Sequence, residues 1–401
     1  MHRTQVCVHR TPGEPARATR LFRHRVSHDG EGDRPPAQRW RQLGDALKFS
    51  LFFEMQIADP TPEREATLFH QCIEQAKLAD ELGYHCIWEV EHHGLYEYSH
   101  SSAPEVVLAF IAAHTKRIRI GHGCTLLPHR YNHPIRIAER IATLDILSHG
   151  RVNWGTAKSG TRVEKEAFEV DQVTIHEQWR EAVAMIPRMW QDEVFSHKGR
   201  FFDIPPTCVV PKPVQKPHPP IFAACSKPEQ AVEVGQLGLG ALNLAIYQDD
   251  MLADRVAQYR AAITDAKPLG LSINNHFACN PATLVLKDDR RACQYGFRGA
   301  MFFLKAMIHY YGPSRPVGRI NIPREFLPDD QLERFMGLRN TPQSQLSSII
   351  GDPACARETV QRFVNVGVDE LILVMQTGTT PHEVTMESIR TFGEEVMPSF
   401  S

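Results

Sequence analysis

The chain has 401 residues, of which 42% are hydrophobic and 23% are charged, so it can form a globular protein with a sizeable core. Its formal net charge of -2 excludes a broad basic surface, and we expect no binding to nucleic acid or to an anionic membrane. No apolar run approaches the roughly 18 residues that span a bilayer. The nine cysteines are scattered without a Cys-x-x-Cys pair, which favours reduced thiols in a cytoplasmic protein.

Residues 1–46 differ in composition from the rest of the chain. They contain nine arginines, no lysine and five acidic residues, which gives a local charge of +4. Transit peptides are also rich in arginine, but they are amphipathic and poor in acidic residues. Because this segment has several prolines and no hydrophobic period, we expect a disordered extension over residues 1–46 and one folded domain over residues 47–401.

From residue 47 onward, short β-rich runs alternate with longer segments of helical spacing. In residues 61–82, for example, apolar side chains recur near helical spacing, and Gly83 provides a natural helix stop. The predicted strands are residues 48–53, 84–90, 117–127, 151–157, 220–224, 240–246, 272–285 and 369–375. The predicted helices are residues 61–82, 104–114, 134–147, 174–192, 228–237, 249–265, a helix after residue 285, 353–367 and 381–395.

Eight strands, each followed by a helix, predict a (β/α)8 TIM barrel of the α/β class. A doubly wound open sheet is the competing architecture. A barrel of this kind typically needs ~250 residues, so the chain has residues to spare. The excess lies in residues 194–216 and 300–350, which we expect to be insertions on loops at one rim of the barrel.

The sequence Glu91-His92-His93 follows the predicted strand 84–90. An ionisable cluster at the carboxyl end of a buried strand is where α/β enzymes place their chemistry. An imidazole that titrates near neutral pH can accept a proton and return it, which makes His92 a candidate catalytic residue. A structural histidine at a strand end is the alternative. Glu91 could fix the tautomer of His92, although alternation along a strand would turn it to the opposite face.

Four sequence motifs follow one another along the chain: WEVEHH at residues 88–93, GHGCTLLP at 121–128, HPIRIAE at 133–139 and LDILSHGR at 144–151. In this order and at this spacing they resemble the bacterial luciferase-like family of flavin-dependent monooxygenases. The resemblance covers residues 47–397 and includes the closing βα unit at residues 351–373. It implies a TIM barrel that binds FMN and assembles as a homodimer.

The resemblance also implies roles for residues near the flavin ring. His92 would lie beside the isoalloxazine and assist its oxygen chemistry. Gly123 and Cys124 would be joined by a non-prolyl cis peptide in a bulge behind the ring, where glycine lets the backbone approach closely. A glycine-containing bulge without a ligand is the alternative for this stretch.

Two further loops would contact the flavin by resemblance, the first at its phosphate and the second at its phosphate or its ring edge. Lys158, Ser159 and Gly160 follow the fourth predicted strand, where relatives carry an Arg-Gly pair near the phosphate. Lys158 keeps the charge but lacks the fork of arginine, and it could instead be a solvated surface lysine. Cys225 and Ser226 follow the fifth strand and open a helix, which suits an anion. Ser226 could equally be an ordinary N-cap whose capping box is completed by the residue at 229.

A metal site is an alternative for the cluster around His92. Its carboxylates and imidazoles suit zinc or iron, and metal hydrolases also use barrels. Further ligand candidates are not placed at later strand ends, so we expect no metal. The candidate ligands are Glu89, Glu91, His92, His93 and His100.

Aromatic residues are concentrated between residues 295 and 311. They would cover an apolar substrate pocket, or they would form core or a dimer face. These residues are Tyr295, Phe297, Phe302, Phe303, His309, Tyr310 and Tyr311.

By resemblance, the function is that of a two-component monooxygenase. Reduced FMN from a separate flavin reductase would react with O2 at its C4a position. The C4a-peroxyflavin would then insert one oxygen atom into a small, apolar organic substrate. The sequence has no Gly-x-Gly-x-x-Gly fingerprint, which agrees with NAD(P)H acting elsewhere. A deazaflavin-dependent hydride-transfer enzyme of the same fold and a non-catalytic flavin-binding partner subunit are the alternatives.

Overall fold

The computed structural model describes residues 46–400, except residues 245–246, 314–316, 342–343 and 345–346. The expected disordered extension therefore lies outside the described residues, apart from Ala46.

The strands of the described chain fall into one large sheet and two small ones. The strands are β1 (Lys48–Phe53), β2 (Cys86–Glu89), β3 (Arg119–Leu126), β4 (Val152–Ala157), β5 (Phe195–Lys198), β6 (Asp203–Thr207), β7 (Ile221–Cys225), β8 (Gly240–Leu244), β9 (Phe277–Asn280), β10 (Ala282–Val285), β11 (Ser348–Gly351) and β12 (Glu370–Leu373).

The helices alternate with these strands along the chain, and a short 3-10 helix over Met397–Ser399 ends it. The helices are α1 (Pro62–Leu82), α2 (Pro104–His114), α3 (Pro134–Leu147), α4 (Arg162–Ala167), α5 (Ile175–Gln191), α6 (Pro228–Gln236), α7 (Asp249–Thr264), α8 (Asp289–Tyr311), α9 (Asp329–Leu338), α10 (Pro353–Asn365) and α11 (His382–Glu395). Over the described part of the chain, no helix combines the length and the apolar character needed to cross a membrane.

Eight strands form a closed barrel in the order β1-β12-β9-β8-β7-β4-β3-β2. Every neighbouring pair in this barrel runs parallel. The prediction of a (β/α)8 TIM barrel is confirmed, and the competing open sheet is wrong. In such a barrel the carboxyl ends of all strands open at one rim, so the loops that follow them share one site.

The predicted strand 272–285 is wrong in one respect, because it is two separate strands. β9 belongs to the barrel, whereas β10 pairs with β11 in a small parallel sheet outside it. Pro281 lies between the two strands and has no N–H to donate to a ladder, which separates them.

The two expected insertions contain regular structure. Residues 194–216 include the antiparallel hairpin of β5 and β6. Residues 300–350 include the end of α8, all of α9 and most of β11. Neither β11 nor the short helix α4 is among the elements predicted from the sequence.

A buried polar network stiffens the barrel interior beneath the carboxyl rim. Glu370 is fully buried and accepts hydrogen bonds from the Ser50 hydroxyl and, at 2.7 Å, from the Trp88 indole N–H. Its other oxygen lies 2.7 Å from His276 Nε2. Burial opposes ionisation of Glu370, but its contacts with His276 bring its pKa down to about 2. The indole of Trp88 also needs Gly121 beside it, because a Cβ there would stand 2.6 Å from the ring.

Candidate active site

A cavity of about 540 Å³ opens at the carboxyl ends of the barrel strands. All eight barrel strands contribute to its lining, from Phe52 on β1 to Ile372 on β12. Its volume lies within the range of about 300–1,000 Å³ that is usual for ligand sites. The walls are mainly apolar and aromatic, and the ionisable groups are concentrated at two ends.

His92 lies at one end of this cavity, between two buried carboxylates. Its Nδ1 is 2.8 Å from an oxygen of Glu164, which is hydrogen-bonding distance. Its Nε2 is 3.3 Å from Glu54 Oε1 and 3.5 Å from the hydroxyl of Tyr311. The ring is 9% exposed, so these groups rather than water determine its protonation. The sequence placed His92 at a strand end but identified neither carboxylate.

Glu164 is held in place by the start of α4. Thr161 is the N-cap of this helix, and its hydroxyl accepts from the Glu164 N–H at 3.2 Å and donates to the Glu164 carboxylate at 2.6 Å. The same carboxylate accepts from the Ser159 hydroxyl at 2.7 Å and from the His93 N–H at 3.0 Å. Thr161-x-x-Glu164 is a capping-box pattern, so the sequence carried a signal for this residue.

The three side chains have pKa values set by burial and by one another. Burial opposes ionisation of Glu164, but the charge of His92 and the hydrogen bonds lower its pKa to about 2. Burial also opposes protonation of His92, yet the charges of Glu164 and Glu54 raise its pKa to about 9. Burial raises the pKa of Glu54 to about 7, with His92 acting in the opposite direction. At neutral pH, therefore, His92 is an imidazolium and Glu164 is fully ionised, whereas Glu54 is partly protonated.

Glu91, which could have fixed the tautomer of His92, does not contact its ring. One Glu91 oxygen accepts from the Leu126 N–H at 2.7 Å, and the other accepts from the Asn132 amide at 2.8 Å. These bonds tie the loop after β2 to the loop after β3. Glu91 therefore does not fix the tautomer of His92, in agreement with the alternation of side chains along a strand, and Glu164 is the carboxylate that contacts Nδ1.

Gly123 and Cys124 line the cavity between its two ends. The peptide bond between them is cis, as the resemblance implied, and the register with β4 shifts between His122 and Thr125. Gly155 on β4 leaves room for this bulge, because a Cβ there would stand 2.2 Å from the His122 carbonyl oxygen.

Lys158, Ser159, Gly160, Cys225 and Ser226 all line the cavity, and the neighbours of the Lys158 side chain lie outside the His92 cluster. Lys158 Nζ is 3.0 Å from His176 Nδ1 and 5.1 Å from the centre of the Trp179 ring. Burial lowers the pKa of Lys158.

The capping alternative for Ser226 is wrong in its details. The helix N-cap is Lys227, and the third helical residue is Gln230 rather than Glu229. The Gln230 side-chain oxygen accepts from the Ser226 N–H at 2.8 Å, from the Ser226 hydroxyl at 3.1 Å and from the Lys227 N–H at 2.9 Å.

The aromatic residues of α8 divide between the cavity and the core. Phe303 and Tyr311 line the cavity, and a Cβ on Gly160 would stand 2.1 Å from the Tyr311 ring. Phe302 and Tyr310 are fully buried in a hydrophobic cluster. The remaining rings pack against aromatic neighbours: Tyr295 on Phe326, Phe297 on Phe335 and His309 on Tyr310. The expected core role is confirmed for Phe302 and Tyr310, and the cavity lined by Phe303 and Tyr311 is a candidate for the expected pocket.

No group of three or more His, Cys, Asp or Glu side chains in the described ranges is arranged to hold a metal ion. The candidate ligands have other contacts. Glu89 accepts from the Ser101 hydroxyl at 2.7 Å, and His93 packs on Phe168 with ring centres 4.8 Å apart.

The residues present fit a flavin. The apolar walls suit a planar ring system, Gly123 lets the backbone approach such a ring closely, and Lys158 offers a positive charge for an anionic tail. Two buried oxygens at the cavity wall, Glu54 Oε1 and Asn243 Oδ1, have no hydrogen-bond partner among the described residues, so they can accept hydrogen bonds from a ligand.

Over residues 47–370 the chain matches the luciferase-like monooxygenase family. The oxygenase component of flavin-dependent trigonelline monooxygenase from Acinetobacter baylyi is 33% identical over 88% of this chain and 96% of its own length. An F420-dependent hydroxymycolic acid dehydrogenase from Mycobacterium tuberculosis is 30% identical over 49% of this chain and 56% of its own length.

Solved structures show the same fold. The monooxygenase RslO1 from Streptomyces bottropensis has a TM-score of 0.75 at 23% identity, over 88% of this chain and 100% of its own. The oxygenating constituent of 3,6-diketocamphane monooxygenase from Pseudomonas putida, in complex with FMN, has a TM-score of 0.69 at 16% identity, over 89% and 99%.

This chain belongs to the luciferase-like monooxygenase family, which confirms the resemblance drawn from its motifs. Its relatives are flavin-dependent monooxygenases, with some F420-dependent dehydrogenases among them. They support an enzyme of the monooxygenase kind with a flavin or deazaflavin cofactor.

The electrostatic role of Glu164 can be measured directly. Replacement Glu164→Gln removes the charge that does most to hold the proton on His92, so the pKa of His92 should fall by at least one unit from about 9. The measurement is NMR titration of ring-labelled histidine, assigned with His92→Asn. Glu166→Gln, on the same helix and beside Arg162, is the control and should leave the titration unchanged. An unaltered His92 titration in Glu164→Gln would rule out this account.

Proposed function

We propose that the protein is the oxygenase component of a two-component monooxygenase that uses reduced FMN and O2. It would insert one oxygen atom from O2 into a small organic substrate. Reduced FMN and the substrate would be the paired electron donors of this reaction. The observation that supports this most is the buried His92–Glu164 pair at a large, mainly apolar cavity. Reduced FMN, when bound, would supply the activation of O2.

The chain's own residues would bind, orient and exclude water. Gly123 and Cys124 would support the ring, and Lys158, with Ser159, Gly160 and the Cys225–Ser226 loop, would hold the phosphate. Glu164 would keep the proton on Nδ1 of His92, so that proton transfer takes place at Nε2, which faces Glu54. The apolar walls would keep solvent out, because water access wastes activated oxygen as hydrogen peroxide.

A separate flavin reductase would supply the reduced flavin. The Acinetobacter baylyi relative is described as an oxygenase component, which supports the same division of labour here. We further propose a cytoplasmic homodimer that acts without nucleic acid or a membrane.

The deazaflavin alternative rests on the F420-dependent relatives. A deazaflavin carries a long anionic tail that needs several cations. Lys158 is the one lysine or arginine among the described residues that line the cavity, which favours FMN. The His92–Glu164 pair favours catalysis over a non-catalytic partner subunit.

The reaction class can be tested with isotope. The protein, given chemically reduced FMN, a substrate turned over by the system and 18O2, should yield product with one 18O atom, as read by mass spectrometry. Incubation with reduced FMN under argon should give no product. Unlabelled product that forms only with F420, in the absence of O2, would favour the deazaflavin-dependent enzyme over the proposed monooxygenase.

The role of His92 can be separated from flavin binding. Replacement His92→Asn should lower product formation by about 10²–10⁴-fold, as expected for loss of an acid–base group, while the FMN dissociation constant changes little. Hydrogen peroxide should account for the O2 consumed. His93→Asn, at a half-buried neighbour that does not line the cavity, should retain most of the turnover. Equal losses in the two variants would contradict the assignment.

The phosphate contact can be tested by comparing two flavins. Replacement Lys158→Met removes the charge but keeps a long apolar chain over Trp179. We expect it to weaken FMN binding by about tenfold and to leave riboflavin, which lacks the phosphate, within twofold. Fluorescence titration gives both constants. Lys165→Met on α4 is the control. A parallel loss for riboflavin would mean that Lys158 acts on the pocket rather than on phosphate.

A further inference from the structure

Glu54 is the buried carboxyl at the His92 end of the cavity, and one of its oxygens lacks a hydrogen-bond partner. The side chain is 2% exposed, and the hydroxyl of Tyr98 lies close enough to lower its pKa. Its Oε1 lies 3.3 Å from His92 Nε2 but outside hydrogen-bonding geometry. Because Glu54 lines the cavity, a bound ligand can reach this oxygen. An ionised oxygen of this kind is stabilised by a positive charge or by a hydrogen-bond donor, and the cavity is where a ligand could supply either.

Three aromatic rings line the same end of the cavity, namely Tyr98, Phe303 and Tyr311, which we call the aromatic box. The centre of the Tyr98 ring is 5.8 Å from that of Phe303 and 6.3 Å from that of Tyr311. The faces of such rings carry partial negative charge and attract cations. Quaternary ammonium groups, which cannot donate hydrogen bonds, are commonly bound between rings of this kind.

The charges around the aromatic box also favour a cation. The carboxylates of Glu54 and Glu164 flank one positive group, His92. The field of these carboxylates keeps His92 protonated despite its burial. Burial raises the pKa of the Tyr98 hydroxyl, and Glu54 adds to that shift. The negative potential that keeps His92 protonated and disfavours ionisation of Tyr98 would also stabilise a second cation beside Glu54.

We propose that the substrate is a small aromatic cation, such as an N-alkylated pyridinium, held in the aromatic box with Glu54 as its counter-ion. This proposal deepens the proposed function and rests on it for the oxidation itself, although not for binding. This differs from the expectation of an apolar substrate, because the proposed ligand has an aromatic ring that carries a positive charge. A neutral hydroxyl could also meet the free oxygen, but it would leave the negative field uncompensated.

The cation affinity should depend on pH in a defined direction. The groups that face Glu54 are His92, Glu164, Tyr98 and Tyr311. Because the pKa of Glu54 is about 7, its ionised fraction rises about tenfold between pH 6 and pH 8. Cation affinity should therefore rise by about tenfold over this range. It should rise again as His92 loses its proton near pH 9, because that removes a competing positive charge.

The experiment compares three probes of nearly the same shape by isothermal titration calorimetry on the full-length protein, with and without oxidised FMN. The probes are the cation 1-methylnicotinamide, its neutral carbon isostere 3-methylbenzamide and the neutral donor 3-hydroxybenzamide. At pH 8 the cation should bind at least tenfold more tightly than either neutral probe. Binding is read without turnover, so failure of the 18O experiment would refute the monooxygenase reading while leaving this comparison valid.

Replacement Glu54→Gln keeps the shape and removes the charge. It should weaken cation binding by at least tenfold at pH 8 and abolish the rise between pH 6 and 8, with 3-methylbenzamide kept within twofold. Retained binding of that neutral probe shows that the pocket is intact. Glu233→Gln makes the same charge change at the Lys158 end, where Glu233 pairs with His176 at 2.9 Å, and should have little effect.

Three outcomes would overturn the proposal. One is a neutral probe that binds the parent protein as tightly as the cation at pH 8. Another is an unchanged cation affinity in Glu54→Gln. The third is no binding of the cation at millimolar concentration at either pH.

Discussion

An ionised carboxylate buried beside an imidazole is the constraint on which this site depends. A buried charge is costly unless opposite charge and hydrogen bonds offset the loss of solvation. Glu164 meets that condition with His92 and with donors from Ser159, Thr161 and the His93 N–H. These contacts join the loop after β2 to the loop after β4, so the geometry of His92 depends on both.

The two carboxyl groups beside His92 differ because their surroundings differ. Glu164 has several hydrogen-bond donors and stays ionised, whereas Glu54 is buried with few donors and has a pKa of about 7. Environments that separate the pKa values of neighbouring acids allow one to hold charge and the other to exchange protons. Glu54 is thus the group in this cluster whose protonation a ligand would change most easily. Glu164 in turn affects the site by keeping His92 protonated.

The barrel could be predicted from the sequence because its signals are local: apolar runs, helix stops and the order of motifs. The Gly123–Cys124 bulge and the position of His92 were predicted from the resemblance that those motifs carry. Glu54 directly follows β1, so the rule that identified His92 at a strand end applied to it equally. Hydrophobic periodicity does not reveal that β10 leaves the barrel, because its partner β11 lies outside the barrel. Nor does it reveal that Glu164 contacts His92, because the two residues are 72 positions apart in the sequence.

The insertion that ends α8 connects the two ends of the cavity. Tyr311 packs on Gly160, in the loop that carries Lys158, and its hydroxyl lies 3.5 Å from His92 Nε2. A side chain on Gly160 would displace the Tyr311 ring and with it one wall of the aromatic box. The loop that carries Lys158 and the histidine end of the cavity therefore share one aromatic residue.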